Sequence, residues 1–255
     1  MRITYAERAP GVGLADAVRC YWTIRGEPDD AEPDLANRVL PDNCIDVIFD
    51  LARDSGIVVG PMLTAEVFAV RGHSDMIGVR FCPGAATEFL DLKASELATA
   101  HLVASDVWPD APALADRLRA APDQARGGVL DAYLRGRRRE RKDAVLARAV
   151  AASIGRARGM LTVQGLTATF AVNERRLQRA FDAAVGIGPK QVMRVARFRS
   201  AAAMLSAAPQ EPLARIALAC GYADQAHFTR EFSELAGLTP TAWRIERRLV
   251  GFVQD

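Results

Sequence analysis

The chain has 255 residues, half of them apolar and a quarter charged, with a formal net charge of +2. That is the balance of a folded globular protein, not of a disordered or fibrous one. Its length accommodates two modest domains with separate cores, and no apolar run approaches the ~20 residues that cross a bilayer. With a start, Met1-Arg-Ile-Thr-Tyr5, that lacks an apolar leader segment, the expectation is a cytoplasmic protein with no membrane partner.

The net charge conceals a division. Residues 1–134 hold 12 Lys and Arg against 21 Asp and Glu, residues 135–142 hold six against one, and residues 143–255 hold 15 against nine. Only the C-terminal part suits a polyanion such as nucleic acid, because the acidic part would be repelled by phosphate. Four cysteines, Cys20, Cys44, Cys82 and Cys220, lack the spacing of a zinc site and read as small buried hydrophobes. No metal and no cofactor is expected.

From residue 18 to about 81 the pattern is that of short strands. Cys20, Trp22 and Ile24 alternate with Arg19, Tyr21 and Thr23; Ile45, Val47 and Phe49 repeat the alternation, as do Ile77, Val79 and Phe81. Turns fall at 41–43, 53–56 and 71–73, and the acidic stretch 27–33 reads as a solvated loop. Asp42, Cys44 and Asp46 share a face, and Arg80 opposes Val79 and Phe81. Either this face lines a pocket, where Trp22, Asp46 and Arg80 could orient a polar effector, or it meets water. Beyond Phe81 the period becomes helical: 85–92, 111–120, 123–134 and 143–154, with Pro109, Pro112 and Pro122 as punctuation. The run 135–142 is the densest in charge; it reads as a solvated linker, or alternatively as a phosphate-contacting arm.

The C-terminal part contains a repeat displaced by 51 positions. Arg179, Phe181, Gly186 and Pro189 recur as Arg230, Phe232, Gly237 and Pro240. Each copy reads as helix, turn, helix, with Asn173 and Asp224 as N-caps of the second helices. The turns differ by one residue: Phe-Ala-Val-Asn at 170–173 against Cys-Gly-Tyr-Ala-Asp at 220–224. Thr162 caps the first helix of copy one, and Gly165 interrupts it, at a cost of about 1 kcal/mol. Pro189 opens a long helix to about Leu205, a rod of about 25 Å with Val192, Val195, Ala196, Ala203 and Leu205 along one stripe. Such a spacer suits recognition helices meeting major-groove faces about 34 Å apart.

Ile216, Ala217, Gly221, Tyr222, Asp224, Phe228, Arg230, Phe232, Gly237, Pro240, Trp243 and Arg244 carry a resemblance to the DNA-binding domain of the AraC/XylS family of bacterial transcriptional regulators. It covers residues 160–247, about a third of the chain. Copy one departs from the pattern, since Ala171 holds the turn glycine's place. The resemblance implies double-stranded DNA as partner. It carries over Arg175, Gln178 and Arg179 in copy one, and Gln225, Ala226, His227, Thr229 and Arg230 in copy two, as base or phosphate contacts. Residues 41–49 and 78–86 resemble the N-terminal cupin-like domain of a subgroup of the same regulators, which implies effector binding or a homodimer contact.

The expected fold is thus α+β in two domains. Residues 1–134 form a small cupin-like β-barrel or sandwich with packed helices, for effector binding or dimerisation. Residues 135–159 form a basic linker and bridging helix, and residues 160–255 an all-α domain of two helix-turn-helix motifs joined by a long helix. The expected function is sequence-specific transcriptional regulation. Two alternatives stay open: an N-terminal domain used purely for dimerisation, and a metal-dependent cupin-type enzyme fused to a DNA-binding module. Against the latter, the chain holds only His73, His101 and His227, with no His-x-His, and no catalytic residue is assigned.

Overall fold

A computed structural model describes residues 2–27, 35–70, 73–97 and 101–249. The expected loop beyond Glu27 and the Arg71-Gly72 part of the third turn lie outside these residues. Eight strands come first: β1 (Arg2–Arg8), β2 (Val18–Glu27), β3 (Leu35–Val39), β4 (Ile45–Asp50), β5 (Ser55–Val59), β6 (Glu66–Val70), β7 (Ser74–Phe81) and β8 (Leu102–Val103). Among the described residues they make a six-stranded antiparallel sheet, order β1-β2-β7-β4-β5-β8, and a separate β3-β6 ribbon.

Alternation decides what each face of the sheet buries. Tyr21, Ile45, Val47, Phe49, Ile77, Val79 and Phe81 enter the main core. Behind them lie α1 (Ala104–Val107), α2 (Ala111–Ala120) and α3 (Asp123–Arg135), supplying Ala104, Leu114, Leu118, Leu130 and Leu134. Arg126 of α3, itself buried, clamps this layer to the sheet through Asp75 at 2.7 and 3.2 Å.

The opposite face is neither a solvated charge cluster nor an open polar wall. Cys20, Trp22 and Ile24 form a second apolar patch with Ile3, Tyr5, Ile48 and Met76. Register places Arg80 between Cys20 of β2 and Asp46 of β4. Arg80 is 4% exposed and donates from Nε to both Asp46 oxygens (3.1 and 3.2 Å) and from a terminal nitrogen at 2.8 Å, with Asp42 at 3.4 Å. Gly78 makes room for Trp22, whose ring lies 2.2 Å from where a Cβ would stand. Burial pushes the Cys20 thiol up to about 12, which makes it a poor nucleophile at neutral pH.

Two expectations about the middle of the chain need correcting. The helix expected over 85–92 is a single 3-10 turn, Ala86–Glu88, because residues 85–90 are all buried and leave no polar face for an amphipathic helix. The basic run is not a free linker. Arg138 bonds Asp16 and Glu88, Arg137 bonds Asp110 and stacks on Tyr133, and Arg141 reaches Asp91 at 2.5 Å. The basic strap offsets part of the negative charge of the acidic domain that precedes it.

Among the described residues seven helices follow: α4 (Lys142–Arg156), α5 (Val163–Thr169), α6 (Glu174–Ala184), α7 (Pro189–Ala207), α8 (Leu213–Ala219), α9 (Gln225–Ala236) and α10 (Pro240–Leu249). They surround two cores. Val150, Ile154, Leu166, Leu177, Phe181, Val192 and Met193 fill one; Phe198, Leu205, Ile216, Phe228, Phe232 and Trp243 fill the other. Helix α7 supplies side chains to both, so its two halves belong to different motifs. The bridging helix α4 belongs to the first core.

The two turns match in conformation despite different residues. Ala171 (φ +50°) and Gly221 (φ +75°) both occupy the left-handed region one residue past the helix cap. An L-residue there costs about 1–2 kcal/mol, while glycine loses somewhat more chain entropy on folding. Gly165 falls in the first turn of α5, where its N–H meets the Thr162 hydroxyl at 3.0 Å, so it weakens no helix interior.

Two stability predictions follow. Ala171→Gly raises the stability of the full chain by up to about 1 kcal/mol, and Gly221→Ala, whose Cβ would stand 3.1 Å from Met160, lowers it by about 1–2 kcal/mol; urea titration reads both. Arg80→Met strands Asp42 and Asp46 and costs about 3–5 kcal/mol, whereas Arg80→Met with Asp46→Leu recovers part of the loss; equal midpoints for the single and double variants would refute the buried pair's role.

Candidate nucleic-acid interface

In copy one, Asn173 begins α6 by accepting the Arg176 N–H at 2.8 Å, and in copy two Asp224 begins α9 by accepting the His227 N–H at 2.7 Å. These caps fix where each second helix starts, and therefore which side chains face out. In α6, Leu177, Ala180, Phe181 and Ala184 are buried, leaving Glu174, Arg175, Gln178, Arg179 and Asp182 exposed. In α9, Phe228, Phe232, Leu235 and Ala236 are buried; Gln225, Ala226 and Arg230 are exposed, His227 and Thr229 half-buried.

Ion pairing divides the arginines of this domain into two groups. Arg176 is bonded to Asp143 of α4. Arg194 meets Glu231 at 3.2 Å and Glu234 at 2.5 Å, with Arg197 3.6 Å from Glu231, so α7 is latched onto α9. Arg215 holds Glu211 at 2.9 Å, and Arg244 bonds the Glu211 carbonyl. Arg175, Arg179 and Arg230, by contrast, have no hydrogen-bonded or ion-paired partner among the described residues. A guanidinium presents a planar fork of donors suited to guanine edges or phosphate oxygens. Arg175, Arg176 and Arg179 line a surface recess of about 590 Å3 with Ala171, Val172 and Asn173.

The other expected contacts are less free. The Gln178 amide leans on Gly188 at the start of α7, within 3.2 Å of where a Cβ would lie. His227 accepts the Ala223 N–H on Nδ1 at 3.4 Å and stands edge-on to Tyr222 at 5.4 Å, so part of its work is closing the turn. In the N-terminal domain the structure brings Trp22, Asp46 and Arg80 onto one face, but Asp46 and Arg80 satisfy each other. Among the described residues no group of three or more His, Cys, Asp or Glu gathers as a metal site would, and no helix is long and apolar enough to cross a membrane.

Sequence reading did not find the contacts that fix both motifs to the N-terminal domain. Asn43 donates from Nδ2 to the Val192 carbonyl at 3.1 Å. Arg38 donates to the Ala236 carbonyl at 3.1 Å and to Glu246 at 3.3 Å, and the Ala65 N–H to the Leu235 carbonyl at 2.7 Å. Gly186, at φ +87°, lets Ala94 approach, its carbonyl 2.5 Å from a notional Cβ. Only the positive φ of Gly186 had a signal, through its repetition as Gly237.

Residues 6–103 match a family described as a domain of unknown function (DUF6597), and residues 166–246 match a helix-turn-helix domain family. No curated protein matches the chain. Among solved structures, the C-terminal domain of AraT, a response regulator from Geobacillus stearothermophilus, is 21% identical over 45% of this chain and 96% of its own, with a TM-score of 0.39. A probable AraC family transcriptional regulator from Rhodopseudomonas palustris CGA009 is 25% identical over 40% and 96%, with a TM-score of 0.37. ToxT from Vibrio cholerae is 8% identical over 96% and 97%, with a TM-score of 0.44. The duplicated, capped motifs coincide with the matched helix-turn-helix domain, so the chain carries a DNA-binding domain of that type behind a separate N-terminal domain.

Proposed function

We propose that the chain is a sequence-specific transcriptional regulator of the cytoplasm, not an enzyme, in which α6 and α9 enter successive major-groove faces of one duplex. The observation that carries this reading is the pair Arg179 and Arg230: equivalent in the repeat, both exposed, both unpaired among the described residues, while Arg176, Arg194 and Arg215 are held in ion pairs. Arg175 and Gln178 join Arg179, and Gln225, Ala226, His227 and Thr229 join Arg230. Arginine reads guanine, glutamine adenine, Ala226 a thymine methyl group, and the cap region of each helix suits phosphate. Helix α7, 19 residues long and so about 28 Å, is the spacer that such a duplex, with a turn of about 34 Å, requires.

The N-terminal domain, in this reading, senses a small molecule, forms a homodimer contact, or does both, and transmits its state through the contacts of Asn43, Arg38 and Ala65 with α7, α9 and α10. A ligand acts by binding the DNA-competent and incompetent arrangements unequally.

A duplex selected by the full chain from a random library provides the test. Its affinity falls steeply with salt, by a logarithmic slope of about −0.9 for each phosphate engaged. Arg179→Ala and Arg230→Ala each weaken it by about tenfold or more, with relaxed preference at one base pair if the contact is to a base, or a slope shallower by about 1 if it is to phosphate. Arg135→Ala, on the acidic side, leaves it unchanged. Salt-independent binding, or a loss for Arg135→Ala equal to that for the two motif arginines, would defeat the assignment.

A further inference from the structure

Two of the four cysteines face each other across neighbouring strands. The last rung of the β4–β7 ladder sets Ile45 opposite Phe81, so the next positions outward are Cys44 and Cys82. The ladder stops there for a local reason: Asn43 turns the chain at φ +64°, and Pro83 has no N–H to extend the pairing. Neither cysteine N–H points at the other strand. That of Cys44 goes to Asp42 Oδ1 at 3.0 Å, and that of Cys82 to the Ala17 carbonyl at 2.8 Å, just before β2. Two opposed residues whose N–H groups turn away form a non-hydrogen-bonded pair, with Cα atoms about 4.5 Å apart. That lies within the span of about 4.4–6.8 Å that a disulfide bridges.

The side chains leave the sheet on the same side. Asp46 and Arg80, two residues further along each strand, are bonded to each other on one face, and a strand returns to the same face every second residue. Arg19 marks the place from the third strand. It is the extra residue of the bulge in β2, between Val18 and Cys20, and its guanidinium lies 3.9 Å from the Cys44 sulfur. Burial raises both thiols, and the Arg19 charge pulls both the other way. Access is unequal. Cys44 is 4% exposed, while Cys82 is half-buried and lines, with Arg19, a crevice of about 740 Å3 where the sheet meets α4 and α7. The other two cysteines are out of reach. Cys20 on β2 lies two strands from Cys44, about 9–10 Å away, and Cys220 sits in the second core beside Met204 and Ser200.

We propose that Cys44 and Cys82 form a reversible thiol–disulfide pair, oxidised by a small disulfide that reaches Cys82 from the crevice. The Cys82 thiolate attacks one sulfur of the small disulfide, whose S–S bond breaks and releases the first small thiol. Cys44 then attacks the Cys82 sulfur of the mixed disulfide and releases the second. Two electrons pass from the cysteines to the small disulfide, and the two cysteine protons end on the two released thiols. The bond pins the turn that carries Asn43, whose side chain holds the Val192 carbonyl of α7 at 3.1 Å. The inference goes beyond the regulator reading and does not rest on it.

The test uses the full chain, reduced, freed of reductant, and incubated with oxidised glutathione. Remaining thiols are alkylated in denaturant, and the peptides are mapped by mass spectrometry. The expected product is one internal disulfide, Cys44 to Cys82, with Cys20 and Cys220 alkylated, and dithiothreitol restores all four thiols. Cys44→Ser stops at a glutathione adduct on Cys82, and Cys82→Ser leaves Cys44 as a thiol, because only Cys82 can be approached from outside. A disulfide that includes Cys20 or Cys220, a glutathione adduct on Cys82 that persists in the unsubstituted chain, an adduct on Cys44 in Cys82→Ser, or four unreacted thiols overturns the proposal.

Discussion

The structure depends on one helix lying in two hydrophobic cores. Val192 and Met193 of α7 pack with Leu177 and Phe181 of the first motif, and Phe198 and Leu205 pack with Phe228 and Phe232 of the second. Each buried side chain of this size contributes about 1.5–3 kcal/mol. To rotate α6 against α9, the chain would have to empty one of these cores or break α7. The Arg194 and Arg197 bonds to Glu231 and Glu234 reinforce the second half. The distance between the second helices of the two motifs is therefore set by helix geometry, not by a flexible linker.

The second constraint is electrostatic economy. A net charge of +2 predicts little about nucleic acid, and even the excess of positive charge in residues 135–142 misleads, because Arg137, Arg138 and Arg141 are used up on Asp110, Asp16, Glu88 and Asp91. What matters is which cations remain without partners. Among the described residues, the guanidinium groups without a partner are those of Arg175, Arg179 and Arg230 on the two second helices, and those of Arg158 and Arg199 where the sheet meets α4 and α7. Pairing removes the arginines between these groups from contention.

The parts of this architecture that could be read from the sequence are the ones written locally. The 51-residue repeat, the caps Asn173 and Asp224, and the alternation of β4 and β7 all depend on neighbours a few residues away, whereas the left-handed φ of Ala171, read as a departure from the pattern, emerged only in the structure. Strand parity put Asp46 and Arg80 on one face. It could not say whether water, a ligand or another part of the chain lay over that face, and the pairing of Arg80 with both Asp42 and Asp46 needs three-dimensional register. The segment 85–92 looked helical because small apolar residues suit helices and buried turns alike. The crevice of about 740 Å3 where the sheet meets α4 and α7 had no sequence signature, since Arg19, Asn43, Gly155 and Arg199 meet only after both domains have folded.

The strengths of the contacts locate the soft part of the molecule. Within the C-terminal domain two aromatic and aliphatic cores resist change. Between the domains stand Leu40, packed on the second core, the approach of Ala94 to Gly186, the ion pairs of Arg148 with Asp16 and Glu88 and of Arg38 with Glu246, and hydrogen bonds from Asn43 to Val192, Arg38 to Ala236 and Ala65 to Leu235. A hydrogen bond of this kind contributes about 0.5–1.5 kcal/mol net. A ligand that prefers one arrangement by about 3 kcal/mol would therefore outweigh any single one of them, and would shift a two-state balance by more than a hundredfold. The same ligand could not disturb either core. A signal at this junction would accordingly move the two motifs together as one body against the N-terminal domain, leaving the spacing between Arg179 and Arg230 intact. Regulation of this kind changes whether the DNA-binding surface is accessible, and not which sequence it reads.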